Sequence, residues 1–320
     1  MSTLRLSFLL IAIFFGSLLQ AQQLPLFTQY REHSSAINPA AVSSNYMAFG
    51  QNGAFGFSYR SQWMEIPNSP RTTVLHGSYF MDDLSGVNFI FGGNLLSDQI
   101  GPTGFTGLYA RAAGVISGDP AYGGISIGLT AGMVQYRVKA AELRARTAND
   151  IRLTQNQSQM YPDVGVGIFA YQQLSGELDG DFVYGGISVP QVFGLDFSFL
   201  DDNGTEFLMK RTQHFYVQAG WIKYFWNDSF LEPSVWVKYV PNAPVNVDFN
   251  LRYQFVGALW VGAGGSTSKS AHLETGVFLG DNLGYESNLQ IGYGYDYSFQ
   301  NHGPFVGGSH EINLAYYFSR

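Results

Sequence analysis

The chain has 320 residues, with 17 Lys and Arg against 24 Asp and Glu, a formal charge of −7. No basic cluster offsets that balance, which argues against a nucleic-acid surface. Charged residues make up 13% of the chain and hydrophobic ones 46%, with 16% aromatic, whereas soluble domains carry about 25% charged residues; an ordinary soluble enzyme is disfavoured. Cysteine is absent, so disulfides contribute nothing to the fold.

Residues 1–21 read as an export signal: Arg5 gives a basic start, Leu6 to Leu19 is mostly apolar, and Leu19-Gln20-Ala21 offers a cleavage site before Gln22. Residues 22–45 follow without alternation and contain Phe27-Thr28-Gln29-Tyr30 and Ile37-Asn38-Pro39-Ala40. They read as a linker, a plug in a lumen, or a periplasmic docking segment.

From residue 46 to the end, period-two patterning dominates, and no stretch is apolar enough to span a bilayer as a helix. The pattern predicts fourteen strands, at about 46–59, 71–80, 85–96, 104–116, 121–138, 163–173, 181–190, 212–225, 230–240, 244–255, 258–267, 270–279, 285–297 and 308–319. In the tenth, Val245, Val247, Phe249, Leu251, Tyr253 and Phe255 share one face, and Asn246, Asp248, Asn250, Arg252 and Gln254 the other. In the last, His310, Ile312, Leu314, Tyr316 and Phe318 oppose Glu311, Asn313, Ala315 and Tyr317. Arg or Lys facing lipid at mid-bilayer costs about 2–4 kcal/mol, so the Asp248–Arg252 and Glu286–Asp296 faces are expected to line a lumen. The fourth strand leaves the face of Arg111 open. Lys223 falls on the lipid face but near a strand end, where a long side chain reaches the headgroups.

Connections alternate between short ones (Met81–Leu84, Ser117–Pro120, 174–180, Trp226–Ser229, the bend at Gly257, Gly280–Gly284) and longer ones (60–70, 97–103, 139–162, 191–211, 298–307), with short exceptions near 241–243 and 268–269. Outer-membrane barrels have short periplasmic turns and longer outside loops. The expected fold is therefore all-β: a transmembrane antiparallel barrel of about 14 strands spanning 46–320, both termini periplasmic, after a periplasmic or plug segment at 22–45. A soluble β-sandwich shares the alternation, but low charge and the aromatic strands favour the membrane.

Catalytic chemistry finds no motif. None of the six histidines belongs to a zinc signature. His272 and Glu274 are expected on one lumen face as an ion pair, and Gly262-Ala263-Gly264-Gly265 as glycines that let the wall bend. No catalytic, cofactor or metal residue is assigned. The polar loop 139–162, with Lys139, Glu142, Arg144, Arg146 and Arg152, reads as a solvated loop or a partner surface.

Several ordered strings carry a resemblance: Phe27-Thr28-Gln29-Tyr30 with Ile37-Asn38-Pro39-Ala40, then Tyr59-Arg60-Ser61-Gln62-Trp63, Asp98-Gln99-Ile100-Gly101-Pro102-Thr103, Glu232-Pro233-Ser234 with Lys238-Tyr239, Tyr293-Gly294-Tyr295-Asp296, and Gly308-Ser309-His310-Glu311-Ile312. Together they resemble the PorP/SprF family of type IX secretion system membrane proteins. Residues 31–36, Arg-Glu-His-Ser-Ser-Ala, depart from the more apolar run usual in that family. The resemblance implies a non-enzymatic outer-membrane barrel of Bacteroidetes-type bacteria that serves protein secretion and, in gliding species, adhesin display. It implies as partners the secretion machinery, such as the periplasmic ring lipoprotein, and a large exported surface adhesin. The expected partner-binding residues are Phe27, Gln29, Tyr30, Asn38 and Pro39 towards the machinery. Arg60, Gln62 and Trp63 are expected on an outer rim with Ile100, Gly101 and Pro102. A diffusion channel for small solutes is the alternative reading of a polar lumen, and a barrel hydrolase has only scattered Ser and His residues behind it.

Overall fold

A computed structural model of the chain describes residues 26–82, 87–139, 157–175, 180–194, 196–200, 206–210, 212–280, 284, 287–301 and 303–319. The expected signal at 1–21 and most of the loop 139–162, including Glu142, Arg144, Arg146 and Arg152, lie outside the described residues. The strands are β1 (Gly53–Ser61), β2 (Arg71–Met81), β3 (Val87–Ile100), β4 (Thr103–Ile116), β5 (Gly123–Val138), β6 (Gln157–Gln173), β7 (Phe182–Val189), β8 (Asp196–Leu200), β9 (Glu206–Lys210), β10 (Phe215–Tyr224), β11 (Phe230–Tyr239), β12 (Asn246–Gln254), β13 (Leu259–Ser266), β14 (Ser270–Leu279), β15 (Asn288–Ser298) and β16 (Ser309–Phe318). Among the described residues three short helices are α1 (Ser34–Ile37), α2 (Ser44–Phe49) and α3 (Gly303–Val306).

Fourteen strands close into one antiparallel barrel, in chain order apart from β8 and β9, which pair with each other. Closure runs through β1 and β16, with Gly53 opposite Phe318 and Ser61 opposite His310. Every strand of the closed ladder then has two neighbours, so backbone polar groups inside a bilayer are paired. No helix among the described residues is long and apolar enough to cross a membrane.

The faces follow the alternation. In β16, Glu311, Asn313, Ala315 and Tyr317 are buried inside while Ile312, Leu314 and Tyr316 are exposed outside. In β12, Asp248, Asn250, Arg252 and Gln254 point in and Phe249 and Leu251 out. Arg111, ambiguous in sequence, is buried on the inner face. Lys223 stays on the outer face near its strand end, 3.8 Å from Asp181 and 5.1 Å from the Trp221 ring centre.

Several boundaries differ from expectation, and the connection expected at 97–103 shrinks to Gly101 and Pro102 because β3 stays paired with β4 as far as Ile100 opposite Thr103. Residues 46–52 are not strand, because Ser43 Oγ caps α2 by accepting from Asn45 N (3.2 Å) and Gly50 ends it in the left-handed region. The sixth strand starts at Gln157, six residues before the expected 163. The connection 191–211 contains the hairpin β8–β9, paired from Asp196–Lys210 to Leu200–Glu206.

Candidate functional site in the lumen

The segment from Phe27 to Phe49 runs inside the barrel. Its first residues lie in the half nearer the long connections. There Thr28 N and Gln29 N donate to the two carboxylate oxygens of Glu311, at 2.8 and 3.1 Å. Thr28 Oγ1 donates to Asp296 (2.5 Å) and accepts from Arg60, whose Nη1 also lies 2.6 Å from Asp296. Phe27 stacks on His33 with ring centres 4.1 Å apart, and His33 Nε2 stands 3.6 Å from Glu311. Beyond them Tyr30 OH meets Ser234 Oγ at 2.8 Å, and its ring leans on Trp236.

Arg31 and Glu32 carry charge contacts to both sides of the lumen wall. Glu32 accepts from Arg252 (2.9 Å), Gln290 (2.9 Å), Tyr317 OH (2.8 Å) and Arg31 (3.0 Å). Arg31 Nε pairs with Glu232 at 2.6 Å, and Tyr184 OH donates to the other oxygen of Glu232 at 2.7 Å. Burial alone would raise the Glu32 pKa; the adjacent Arg31 and Arg252, with the bonds from Gln290 and Tyr317, outweigh it and hold the carboxyl down to about 2. These contacts come from residues 31–36, the stretch that departs from the family pattern. A charge inside a lumen needs a partner on the wall, and here each side of the interface supplies it.

The chain then climbs to Asn38 and Pro39. Asn38 Nδ2 donates to the carbonyls of Ile168 (3.1 Å) and Ile187 (3.4 Å), and Ser188 Oγ donates to Ile37 O (2.7 Å). Arg111 Nε donates to Pro39 O at 2.7 Å and its Nη2 to Ala41 O. The close approach requires glycine on three adjoining strands. A Cβ at Gly128 would sit 2.5 Å from Ala40 N, one at Gly186 would sit 2.6 Å from Asn38 Nδ2, and one at Gly167 would overlap Asn38 Oδ1. Below, Ala40, Ala41, Val42, Tyr46 and Met47 pack against Phe80, Ile90, Val115, Phe169, Phe182 and Ile222. Tyr224 OH donates to Ala48 O at 3.0 Å, where the segment turns into β1.

Of the residues expected to bind partners, Phe27, Gln29, Tyr30, Asn38 and Pro39 meet in this lumen and contact the barrel itself. Arg60 joins them. It was expected on the outer rim, but its place in β1 turns it inward onto Thr28, Asp296 and Glu311. Gln62 and Trp63 stand at the long-connection end, Gln62 N donating to Pro70 O (2.9 Å) and Trp63 N to Ser309 Oγ (3.3 Å). Ile100, Gly101 and Pro102 form the neighbouring turn, tied to the 62–70 connection by Gly101 N donating to Asn68 O at 3.1 Å. The two loops therefore meet, with Asn68 supplying the bond.

His272 and Glu274 share the lumen face as expected, bridged by Asn250 Nδ2 at 2.9 and 3.1 Å rather than paired directly. Gly262 and Gly264 give these two side chains room, since a Cβ on either would stand 2.5 Å from Glu274 Oε1 or His272 Nε2. Sequence reasoning missed Glu32, Glu232, Arg252, Asp296 and Glu311 as anchors. Their signal was charge on lumen faces of a chain poor in charge, matched by opposite charge at 31–32. Among the described residues no group of His, Asp and Glu is arranged to hold a metal ion.

A family model described as "Type IX secretion system membrane protein PorP/SprF" matches residues 19–316. No curated protein matches the sequence. Solved structures share the fold at low identity. The CymD monoaromatic hydrocarbon channel has a TM-score of 0.56 at 9% identity, with 96% of each chain covered. The Pseudomonas putida toluene transporter TodX scores 0.51 at 8% identity, covering 93% of this chain and 98% of its own. A Pseudomonas aeruginosa FadL homologue scores 0.50 at 10% identity, covering 89% and 93%.

Proposed function

We propose that this chain, which belongs to the PorP/SprF family of type IX secretion system membrane proteins, works in the outer membrane as a sealed scaffold rather than a conduit. The observation that carries this reading is the lumen filled by the chain's own residues 27–49, fixed by Arg60, Arg111, Arg252, Glu232 and Glu311. A cavity of about 40 Å³ beside the plug, lined by Phe27, Ile37, Leu96, Tyr216 and Trp236, holds about one water rather than a solute.

In this reading residues 22–45 act first on their own barrel, which they close, and the wall 46–320 carries the membrane. The short turns face the periplasm and the secretion machinery, including the ring lipoprotein. The ends of β1 and β16 that pair at Gly53 and Phe318 lie at that same side, which supports periplasmic entry and exit of the barrel strands. The connections 60–70, 139–162 and 191–211 face outside and hold one exported surface protein, such as an adhesin of gliding motility. The work is non-enzymatic: holding and positioning, without a reaction.

The test is deletion of 140–156 and 195–211 with the barrel kept folded. Loss of surface display of the exported protein is the expected result; unchanged display overturns the outer half of the reading. Small-solute diffusion is the second reading, prompted by the channel and transporter descriptions of the structural neighbours, and it requires the plug to leave the lumen.

A further inference from the structure

At the short-turn mouth of the lumen, below the plug, lies a cavity of about 440 Å³, within the size range of ligand pockets. Its walls include Phe49, Tyr224, Phe230 and Phe278, with Gln254 inside and Asp228 at the edge. Phe49 is the last residue of α2. Gly50, at φ 67°, stops the helix there and leaves the Phe49 ring against the mouth, 5.8 Å from Phe230 and 5.5 Å from Phe278 between centres. Phe230 and Phe278 are buried, whereas Phe49 is 41% exposed. The aromatic wall is thus rigid on one side and open on the other.

Gln254 supplies an independent observation. It is 2% exposed, and its Nε2 donates to the carbonyls of Phe255 (3.2 Å) and Leu259 (3.3 Å). Those two acceptors fix which end of the amide is nitrogen. Its Oε1 is left buried in the cavity wall without a partner. A buried acceptor without a donor is unfavourable, so a donor that reached this wall would be held by it. Asp228 adds a carboxylate at the rim, and Tyr224 OH is already committed to Ala48 O (3.0 Å). Asn288 also lines the cavity. The cations above the site do not repel a further one unopposed, because Arg252 is paired with Glu32 at 2.9 Å and Arg31 with Glu232 at 2.6 Å.

Aromatic faces with acceptors and a carboxylate suit a cation on an apolar stem, the stem against the rings and the head on the oxygens. The same wall already holds one such group. The Arg252 guanidinium carbon lies 3.9 Å from the Trp260 ring centre and 5.8 Å from that of Phe278. We infer that this mouth is a docking site for a lysine or arginine side chain presented by a periplasmic protein. The inference rests on the reading that the short-turn end faces the periplasm.

The test is calorimetry on the full-length barrel in nanodiscs with three heptapeptides of sequence Ala-Ala-Leu-X-Leu-Ala-Ala, where X is lysine, norleucine or glutamate, and with n-butylamine. The lysine peptide is expected to bind at least tenfold tighter than the other two peptides and than butylamine. Gln254→Leu should bring lysine down to the norleucine level, and Phe49→Ala, at a partly exposed position, should weaken all apolar contact without unfolding the barrel. Equal binding of lysine and norleucine, preference for glutamate, or no effect of Gln254→Leu overturns the site. Binding of butylamine as tight as the peptide overturns the protein partner. The orientation is tested separately with Trp226→Cys, at a residue 96% exposed on the neighbouring turn. A membrane-impermeant maleimide should label it only after the outer membrane is permeabilised. Labelling on intact cells would overturn the periplasmic assignment and leave the calorimetry to stand or fall by itself.

Discussion

Substitution of Glu32 by glutamine removes one charge from the interface between plug and wall while keeping the side chain's size. The Glu32 carboxylate accepts from Arg252, Gln290, Tyr317 and Arg31 at 2.8 to 3.0 Å. Arg31 keeps Glu232 in the variant, but among the described residues Glu32 is the one carboxylate within ion-pair distance of Arg252, which is 2% exposed, with Glu232 and Glu274 acting on it from further off. Breaking a buried pair by removing one partner costs about 3–5 kcal/mol, because it strands the other charge. The strand ladder itself loses nothing, so the cost falls on plug docking. Taking the lower figure, ~3 kcal/mol, the population of undocked plug rises about a hundredfold at roughly 1.4 kcal/mol per factor of ten. The absence of cysteine makes the assay clean. A single Ala41→Cys, at a position 2% exposed under the Arg111 side chain, reacts with a maleimide only when the plug opens. Under conditions where reclosing outruns labelling, the rate follows the open population. Adding Glu32→Gln should raise it about a hundredfold. An unchanged rate would refute the view that the Glu32 network holds the plug.

Gly167→Val places a side chain where Asn38 Oδ1 sits; the same thiol should label freely while the heat-modifiable gel mobility of the barrel is kept. The Glu32 carboxyl, held down to about 2, contributes stability that is fully present above the ordinary value near 4.5 and is lost as pH falls through about 2. A nitroxide at Phe49→Cys should therefore show constant mobility from pH 8 to 5 and loosen below 4.5. Leu314→Arg puts a cation on the outward face in the middle of β16, and folding into liposomes should lose about 2–4 kcal/mol; an unaffected folding equilibrium would contradict the assignment of that face to lipid.

The wall was legible in the sequence because lipid on one side and a polar interior on the other impose opposite requirements on successive residues. β12 and β16 show it residue by residue. Arg111 resisted the same reading because its neighbours Ala110, Ala112 and Ala113 suit either face, and its partners, the carbonyls of Pro39 and Ala41, are backbone groups that leave no side-chain signature. Residues 46–52 misled for a related reason. Met47 and Phe49 mimic an apolar strand face, whereas Ser43 and Gly50 at the two ends mark a helix. The plug's motifs were visible as departures from alternation, but their destination depended on charges far apart in the chain. Glu32 and Arg252 are 220 residues apart, and only barrel closure brings them together. Arg60 falls in a connection when the first strand is ended at 59; β1 runs on to Ser61, and its parity sets Arg60 inward opposite Glu311.

The claim that the lumen is a closed scaffold is tested most directly by current through single purified barrels in planar bilayers, with the full-length protein beside a variant lacking residues 26–49. The full-length protein should show no steady conductance, and the variant should show a stable open pore. A steady open pore from the full-length protein would contradict the account and return weight to a diffusion channel.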